Sequence, residues 1–231
     1  MATTTVEFPS NGHSASGYLA TPASGTGPGV LVIQEWWGLD WGIKAMADAL
    51  AESGFVALAP DLYHGELAGH DEMDKAGHLM QSLPAERAAK DMSGAVDYLA
   101  GHASVTGDGI GVVGFCMGGM LSFIIAANRP DKVKALVPFY GFPQGGAQPD
   151  YSTITAAISG HMAEKDSFFG PEAARALEAR LRELGKTATL TVHPGTGHAF
   201  MAPHNALGTY DPDLAARIWP EVVAFLKSTL A

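Results

Sequence analysis

The only cysteine of the chain lies at the centre of residues 114–118, which read Gly-Phe-Cys-Met-Gly. This is the nucleophile-elbow pattern G-x-S-x-G with cysteine in the serine position, and it stands between a strand-like run and a helical pattern, as an elbow requires. Such a turn would expose the sulfur of Cys116 at a helix N-terminus, where the helix dipole favours a thiolate. The N–H of Met117 would then face the oxyanion formed by attack on a carbonyl. The alternative is a buried core cysteine, a common fate of this residue type.

A cysteine nucleophile needs a base, and the base needs a group that orients it. Among nine histidines, His198 lies in a glycine-rich segment after the last predicted strand, where α/β folds carry catalytic groups. The acid should lie between Cys116 and His198, because the elbow motif occurs with nucleophile, acid and histidine in that order. Glu164 and Asp166 both follow a predicted strand. We favour Asp166, against the alternative that it is a solvated turn residue.

A fourth candidate is Glu35, which ends a predicted strand and precedes Trp36, Trp37 and a glycine. A carboxylate at that strand end would face the elbow, since the carboxyl ends of parallel strands share one edge of the sheet. The alternative is a surface glutamate that opens a loop. The two tryptophans either wall a substrate cavity or only pack against a lid.

Short apolar runs alternate with helical patterns along most of the chain, after an initial hairpin whose turn we predict at Asn11 and Gly12. We predict strands at residues 30–33, 55–60, 110–114, 133–139, 153–158 and 187–193 and helices near residues 43–50, 84–99, 117–128, 171–185 and 214–226. Strand–helix repetition predicts an α/β fold, with a mostly parallel sheet covered by helices on both faces. Residues 63–83 are weakly patterned and predict a lid or loop, and Pro220 should kink or restart the last helix.

Composition narrows the possible partners of the protein. The net charge of −10 would repel phosphate backbones, so we expect no nucleic-acid partner. No apolar run is long enough for a membrane span, and residues 1–10 lack a secretory pattern, so we expect a cytoplasmic protein. A single cysteine excludes an intrachain disulfide, and no metal or nucleotide motif is present. Residues 1–231 are predicted to form one domain.

Four blocks of the sequence, in this order along the chain, together resemble the dienelactone hydrolase (carboxymethylenebutenolidase) family. They read Gln-Glu-Trp-Trp-Gly at residues 34–38, Ala-Pro-Asp-Leu-Tyr at 59–63, Gly-Phe-Cys-Met-Gly-Gly at 114–119 and Pro-Gly-Thr-Gly-His-Ala-Phe at 194–200. The resemblance implies an α/β-hydrolase fold with a central sheet of about eight strands. It also implies a cofactor-free enzyme with a triad of Cys116, His198 and Asp166.

The same resemblance implies roles for Glu35 and Trp36, which belong to the first block. Glu35 would hydrogen-bond the resting thiol of Cys116 and take its proton when substrate binds, which would protect the thiol from oxidation. The backbone N–H of Trp36 would be the second oxyanion donor, beside that of Met117. Trp37, Tyr63, Phe200 and Met201 are candidates for the walls of the substrate pocket.

The chain departs from the family pattern where arginines hold a substrate carboxylate. Four positions after His198 stands Ala202 instead of an arginine, and residues 63–83 contain Lys75 but no arginine. Arg87 lies on the next predicted helix. We therefore predict a substrate without a carboxylate.

The sequence therefore predicts a hydrolase that opens lactones or related carboxylic esters through a thioester on Cys116. A broader carboxylesterase is the nearest alternative. A non-catalytic relative that senses a ligand or the redox state is another, although such a protein would not need Cys116, His198 and Asp166 together. We expect a small-molecule substrate and a monomer or small homo-oligomer.

Overall fold

The computed structural model describes residues 1–10, 12–146 and 148–231, which fold around one eight-stranded sheet. Its strands are β1 (Ala2–Ser10), β2 (His13–Thr21), β3 (Gly27–Ile33), β4 (Val56–Pro60), β5 (Val105–Phe115), β6 (Val133–Phe139), β7 (Ala157–Lys165) and β8 (Ala188–Gly197). Their order across the sheet is β1-β2-β4-β3-β5-β6-β7-β8. β2 is antiparallel to both β1 and β4, whereas the six strands β4, β3, β5, β6, β7 and β8 are parallel to one another.

Helices cover both faces of this sheet. They are α1 (Trp41–Glu52), α2 (Met73–Ser82), α3 (Ala85–Ala100), α4 (Met117–Asn128), α5 (Pro171–Glu183) and α6 (Pro212–Leu230). α1 and α6 share one apolar core with Val30 and Val32 of β3, while α3, α4 and α5 share another with Leu31 and Ile33. Consecutive apolar residues of one strand therefore supply two cores, as expected for a strand buried on both faces. The predicted α/β-hydrolase sheet is confirmed.

The initial hairpin is present, with Ser10 opposite His13 at the closed end of β1 and β2. Gly12 has a φ of +97°, which glycine adopts without steric cost. Asn11, the other residue of the predicted turn, lies outside the described residues.

Three predicted elements differ from the observed ones. The strand predicted at residues 153–158 begins later, because Tyr151–Thr153 form a 3-10 turn, and β7 continues to Lys165. The weakly patterned residues 63–83 contain α2, which buries only Ala76 and Leu79. α6 continues through Pro220 without a restart, since one missing N–H is compensated by the packing of its buried face.

Among the described helices, none combines the length and apolar composition that a bilayer crossing requires. β3, β5, β7 and β8 run parallel, so their carboxyl ends meet at one edge of the sheet. Glu35, Cys116, Asp166 and His198 each follow one of these four ends by one or two residues. The fold thus brings all four candidate side chains to the same edge.

Candidate active site

Cys116 occupies a sharp turn between β5 and α4, with a φ of +54° and a ψ of −115°. A non-glycine residue with positive φ is strained and persists only where the surroundings enforce it. Gly118 allows the close packing beneath the turn, because a Cβ there would lie 2.2 Å from the carbonyl oxygen of Ile33. The backbone N–H of Cys116 also donates to the carbonyl of Phe139 at 3.0 Å. The half-buried sulfur of Cys116 therefore stands at the head of α4 on a tightly fixed backbone.

His198 and Asp166 lie within hydrogen-bond distance, with 2.8 Å between Nδ1 of the histidine and Oδ2 of the aspartate. The other carboxylate oxygen, Oδ1, accepts the backbone N–H groups of Phe168 at 2.8 Å and Phe169 at 3.0 Å. Asp166 is thus buried with both oxygens satisfied, and it is positioned by its own loop. This arrangement fixes the His198 ring through Nδ1 and leaves Nε2 for Cys116 or a reacting group.

Glu164, the competing candidate acid, has a different partner. Its Oε2 accepts the backbone N–H of Gly195 at 2.8 Å, and the side chain is exposed. This contact ties the end of β7 to the segment before His198. The structure brings Asp166, not Glu164, to the His198 ring.

The electrostatic surroundings of His198 favour its protonated form. Burial of the ring opposes the charge, but hydrogen bonds to Asp166 and Cys116 and the charges of these two groups outweigh burial and raise the pKa of His198 to about 10. The ring also packs against Tyr140, whose centroid lies 5.1 Å away. An imidazolium in this position would stabilise the thiolate that forms when the Cys116 thiol loses its proton.

Two backbone N–H groups next to Cys116 could hold an oxyanion. Met117 is the first residue of α4, so its N–H has no partner within the helix. Trp36 follows β3 and lines the same cavity as Cys116. The hydroxyl of Tyr63 lies 3.1 Å from the Trp36 carbonyl oxygen and 3.5 Å from the Met117 sulfur, so it links the two residues. Burial and then the charge of Cys116 raise the pKa of Tyr63, which keeps this hydroxyl protonated as a donor.

A cavity of about 580 Å³ opens in front of Cys116 and His198. Its other walls are mainly aromatic and sulfur-containing side chains: Trp36, Met80, Met117, Met120, Phe168, Phe169 and Leu207. Gln81, Gln144 and Ser167 add neutral polar groups. A more open groove of about 840 Å³ lies along α3 but contains none of the candidate side chains. The 580 Å³ cavity therefore marks the candidate active site, and no Lys, Arg, Asp or Glu is among its described lining residues.

The four predicted wall residues do not line this cavity. Trp37, Tyr63, Phe200 and Met201 are each at most 4 % exposed and belong to the hydrophobic cores. The prediction failed because aromatic residues close to a site in sequence can point into the core. The actual walls come from α2, from the start of α4 and from the segment after Asp166.

The two basic residues that the sequence analysis considered as carboxylate binders, Lys75 and Arg87, have partners outside the cavity. Lys75 lies 3.6 Å from Glu72, its partner on the same helical turn. Arg87 donates to the carbonyl of Leu62 at 3.4 Å. Ala202 is buried. Among the described residues, none of these three lines the cavity.

Glu35 is buried and contacts a residue that the sequence did not indicate. Its Oε2 lies 3.0 Å from Nε2 of His204, while its Oε1 has no hydrogen-bond partner among the described residues. The observed partner of Glu35 is thus His204 and not the Cys116 thiol that the resemblance implied. The hydroxyl of Tyr140 is likewise buried without a partner among the described residues. Burial and then the charges of Glu35 and Cys116 raise the pKa of Tyr140.

The nearest approach to a metal site lies beside Glu35, where donor atoms of Asp40, His70 and His204 come within 4.8 Å of one another. Nδ1 of His204 accepts the backbone N–H of Ala206 at 3.1 Å, whereas a metal-bound histidine donates from its second nitrogen. The two imidazole rings stack with centroids 4.0 Å apart, so their in-plane lone pairs cannot converge on one ion. These contacts favour a hydrogen-bonded network over a metal centre.

Comparison with known proteins places the chain in a family. The model of the dienelactone hydrolase family matches residues 15–230. "Protein usf" of Aquifex pyrophilus is 39 % identical over 97 % of this chain and 98 % of its own. A relative in Aquifex aeolicus, provisionally named a carboxymethylenebutenolidase, is 36 % identical with the same coverage. A Klebsiella pneumoniae structure, provisionally described as a dienelactone hydrolase, superposes with a TM-score of 0.85 at 27 % identity, over 98 % of this chain and 99 % of that one. The chain therefore belongs to the dienelactone hydrolase family and is a carboxylic ester hydrolase.

Proposed function

We propose that the protein hydrolyses uncharged lactones or esters with Cys116 as nucleophile, His198 as acid and base, and Asp166 as the group that orients His198. The observation that carries this proposal is the 2.8 Å contact between Asp166 and His198 at the wall of a cavity that also contains Cys116. A buried imidazole fixed by a carboxylate beside a nucleophile is the arrangement used in acyl transfer.

The first half of the reaction forms a thioester. Glu35 takes the proton of the Cys116 thiol, and the sulfur attacks the carbonyl carbon of the substrate. The N–H groups of Met117 and Trp36 hold the oxyanion of the tetrahedral intermediate. As the intermediate collapses, the carbon–oxygen bond breaks and the leaving oxygen takes a proton from the His198 imidazolium. In a lactone, the leaving oxygen stays tethered to the acyl group.

The second half releases the product and restores the enzyme. Neutral His198 takes a proton from water, and the resulting hydroxide attacks the thioester carbonyl. The thiolate of Cys116 leaves and recovers its proton from Glu35. Thiolates are good leaving groups and also collapse backward readily, so lactones and activated esters suit this site better than amides.

The walls of the cavity support a substrate without a carboxylate. Arginine would hold a carboxylate through two parallel hydrogen bonds. Lys75 and Arg87 have other partners, and Ala202 stands where the family pattern has an arginine. The methionine and aromatic walls instead favour apolar groups next to the reacting ester.

The decisive experiment compares wild type with Cys116→Ala on p-nitrophenyl acetate and on a panel of neutral lactones. We expect Cys116→Ala to lose hydrolysis while its circular dichroism spectrum stays unchanged. Mass spectrometry after acid quenching should find the acyl group on Cys116 of the wild type. Cys116 is the only thiol of the chain, so iodoacetamide labelling provides a matched control.

Equal activity of the two proteins would refute the cysteine mechanism. Turnover of open-chain esters but of no lactone would favour a broader carboxylesterase. A protein that binds these compounds without turnover would instead be the non-catalytic sensor considered from the sequence.

A further inference from the structure

The contacts of His204 fix both the orientation and the protonation of its ring. The backbone N–H of Ala206 donates to Nδ1, so this nitrogen carries a lone pair and not a proton. The remaining nitrogen, Nε2, must then carry the proton, and it lies 3.0 Å from Oε2 of Glu35. His204 is therefore a neutral donor to one oxygen of the buried Glu35 carboxylate.

The ring of His204 is held in place by a second histidine. His70, in the segment between β4 and α2, stacks on His204 with an angle of 19° between the ring planes. Nε2 of His70 lies 2.6 Å from Oδ2 of Asp40. The other oxygen of Asp40 caps α1 by accepting the backbone N–H of Ile43 at 2.9 Å. Through His70, a helix cap thus supports one face of the His204 ring, and the edge of that ring contacts Glu35.

Glu35 is left with one engaged oxygen and one oxygen that is free to accept a proton. Oε1 is buried and has no partner among the described residues. A carboxylate with a single fixed oxygen cannot rotate without breaking a charge-assisted hydrogen bond. The hydrogen bond from His204 therefore limits the positions that Oε1 can take.

We infer that His204 is a positioning residue for the hydrolysis: it holds Oε2 of Glu35 so that Oε1 is presented to the proton of the Cys116 thiol. The inference rests on the proposed function, in which Glu35 accepts that proton. The proton passes from Sγ to Oε1, the electron pair of the S–H bond stays on sulfur, and the proton returns to Sγ when the thioester has been hydrolysed. His204 itself gains or loses no proton in the cycle.

The test is a double-mutant cycle on p-nitrophenyl acetate with Glu35→Gln, His204→Phe and the double variant. His204→Phe keeps an aromatic ring against His70 but has no N–H to donate. We expect it to lower kcat about tenfold with little change in KM, and to add less than twofold in the Glu35→Gln background, because the effect acts through Glu35. His204→Gln, which retains an N–H donor, should recover most of the lost kcat.

An undiminished kcat in His204→Phe would overturn the inference. So would the same tenfold loss in both backgrounds, or an equal loss in His204→Gln, because His204 would then act only through packing. If His204→Phe does not fold, the cycle is run with His204→Leu, and melting temperatures are recorded for every variant. Retained hydrolysis in Cys116→Ala would refute the proposed function itself, which separates the two failures.

Discussion

Two carboxylates next to Cys116 are held in different ways. Asp166 accepts hydrogen bonds from His198, Phe168 and Phe169, so both of its oxygens are engaged. Glu35 is buried to the same degree, but one of its oxygens lacks a partner among the described residues. A buried acceptor left unpaired costs about 1–3 kcal/mol. Asp166 thus has no oxygen left without a hydrogen bond, whereas Glu35 keeps one oxygen that could accept the proton transfer proposed above.

The difference extends to the surroundings of the two carboxylates. Asp166 supports His198, which lines the cavity, and the described lining residues include no Lys, Arg, Asp or Glu. Glu35 belongs to a network with His204, His70 and Asp40, which lies outside that wall. The carboxylates of Glu35 and Asp40 therefore lie outside the cavity lining, which consists mainly of apolar side chains.

Replacing Asp166, whose two oxygens both accept hydrogen bonds, should have the largest effect on kcat. Asp166→Asn should lower kcat on the order of 10⁴-fold, the loss seen when a triad aspartate is replaced. Glu164→Gln is the matched control and should change kcat less than threefold, since Glu164 contacts Gly195 and not His198. Steady-state kinetics on one neutral lactone measures both. If Glu164→Gln lost most of its kcat while Asp166→Asn kept nearly all of it, Glu164 and not Asp166 would be the residue that orients His198.

Neutralising the other carboxylate should have a smaller effect. Glu35→Gln should lower kcat about 100-fold, the lower range for general acid–base catalysis, with KM changed little because Glu35 does not line the cavity. Stopped-flow measurement of thioester formation would locate the loss in the first step. A loss confined to KM would mean that Glu35 contributes to binding instead.

Asp166, unlike Glu35, raises the pKa of His198, and this predicts how the stability of the protein depends on pH. The folded chain binds this proton more tightly than the unfolded chain, whose histidines titrate near pH 6.5. The stabilisation is therefore complete below about pH 6.5 and is lost as the pH rises towards the folded value of about 10. Asp166→Asn should lower the pKa of His198 by at least one unit and reduce the loss of stability between pH 6.5 and 9. NMR titration and urea unfolding test this, and an unchanged pKa would contradict it.

The apolar substrate side can be tested with paired substrates that differ only in one group, a carboxylate or its methyl ester. We expect kcat/KM to be about tenfold higher for the ester, because the described lining of the cavity offers a carboxylate neither a lysine nor an arginine. Initial rates at low substrate concentration give this ratio. A ratio tenfold in favour of the acid would mean that another cation approaches the site.

The smallest effect concerns Tyr63, whose hydroxyl links Trp36 and Met117, the two proposed oxyanion donors. Tyr63→Phe removes the hydroxyl that contacts Trp36 and Met117 while keeping the buried ring. We expect kcat to fall about fivefold, less than the 10²–10³ that follows loss of a donor itself. Thermal unfolding serves as the control. An unchanged kcat would show that the backbone of Trp36 is held without Tyr63.

The sequence predicted the sheet and the neighbours of Cys116 because the relevant signals are local. The elbow lies within five residues, and Asp166 and His198 each follow directly on a strand. The contact between Glu35 and His204 joins residues 169 positions apart, and neither residue belongs to a pattern that names the other. The residues that line the cavity were not predicted correctly for another reason. Phe200, for example, lies next to His198 in sequence, but its ring is wholly buried in the core.

The packing of Trp37 gives the network around Glu35 an optical signal of its own. This indole is 2 % exposed, and its ring meets His70 edge-on at 5.3 Å and His204 at 6.0 Å. Indole emission is sensitive to the position and charge of adjacent imidazole rings. Displacement of either histidine during turnover should therefore change the intrinsic fluorescence, and Trp37→Phe should remove the change. Movement in the buried network of Glu35, His204 and His70 could thus be followed in real time without an added dye.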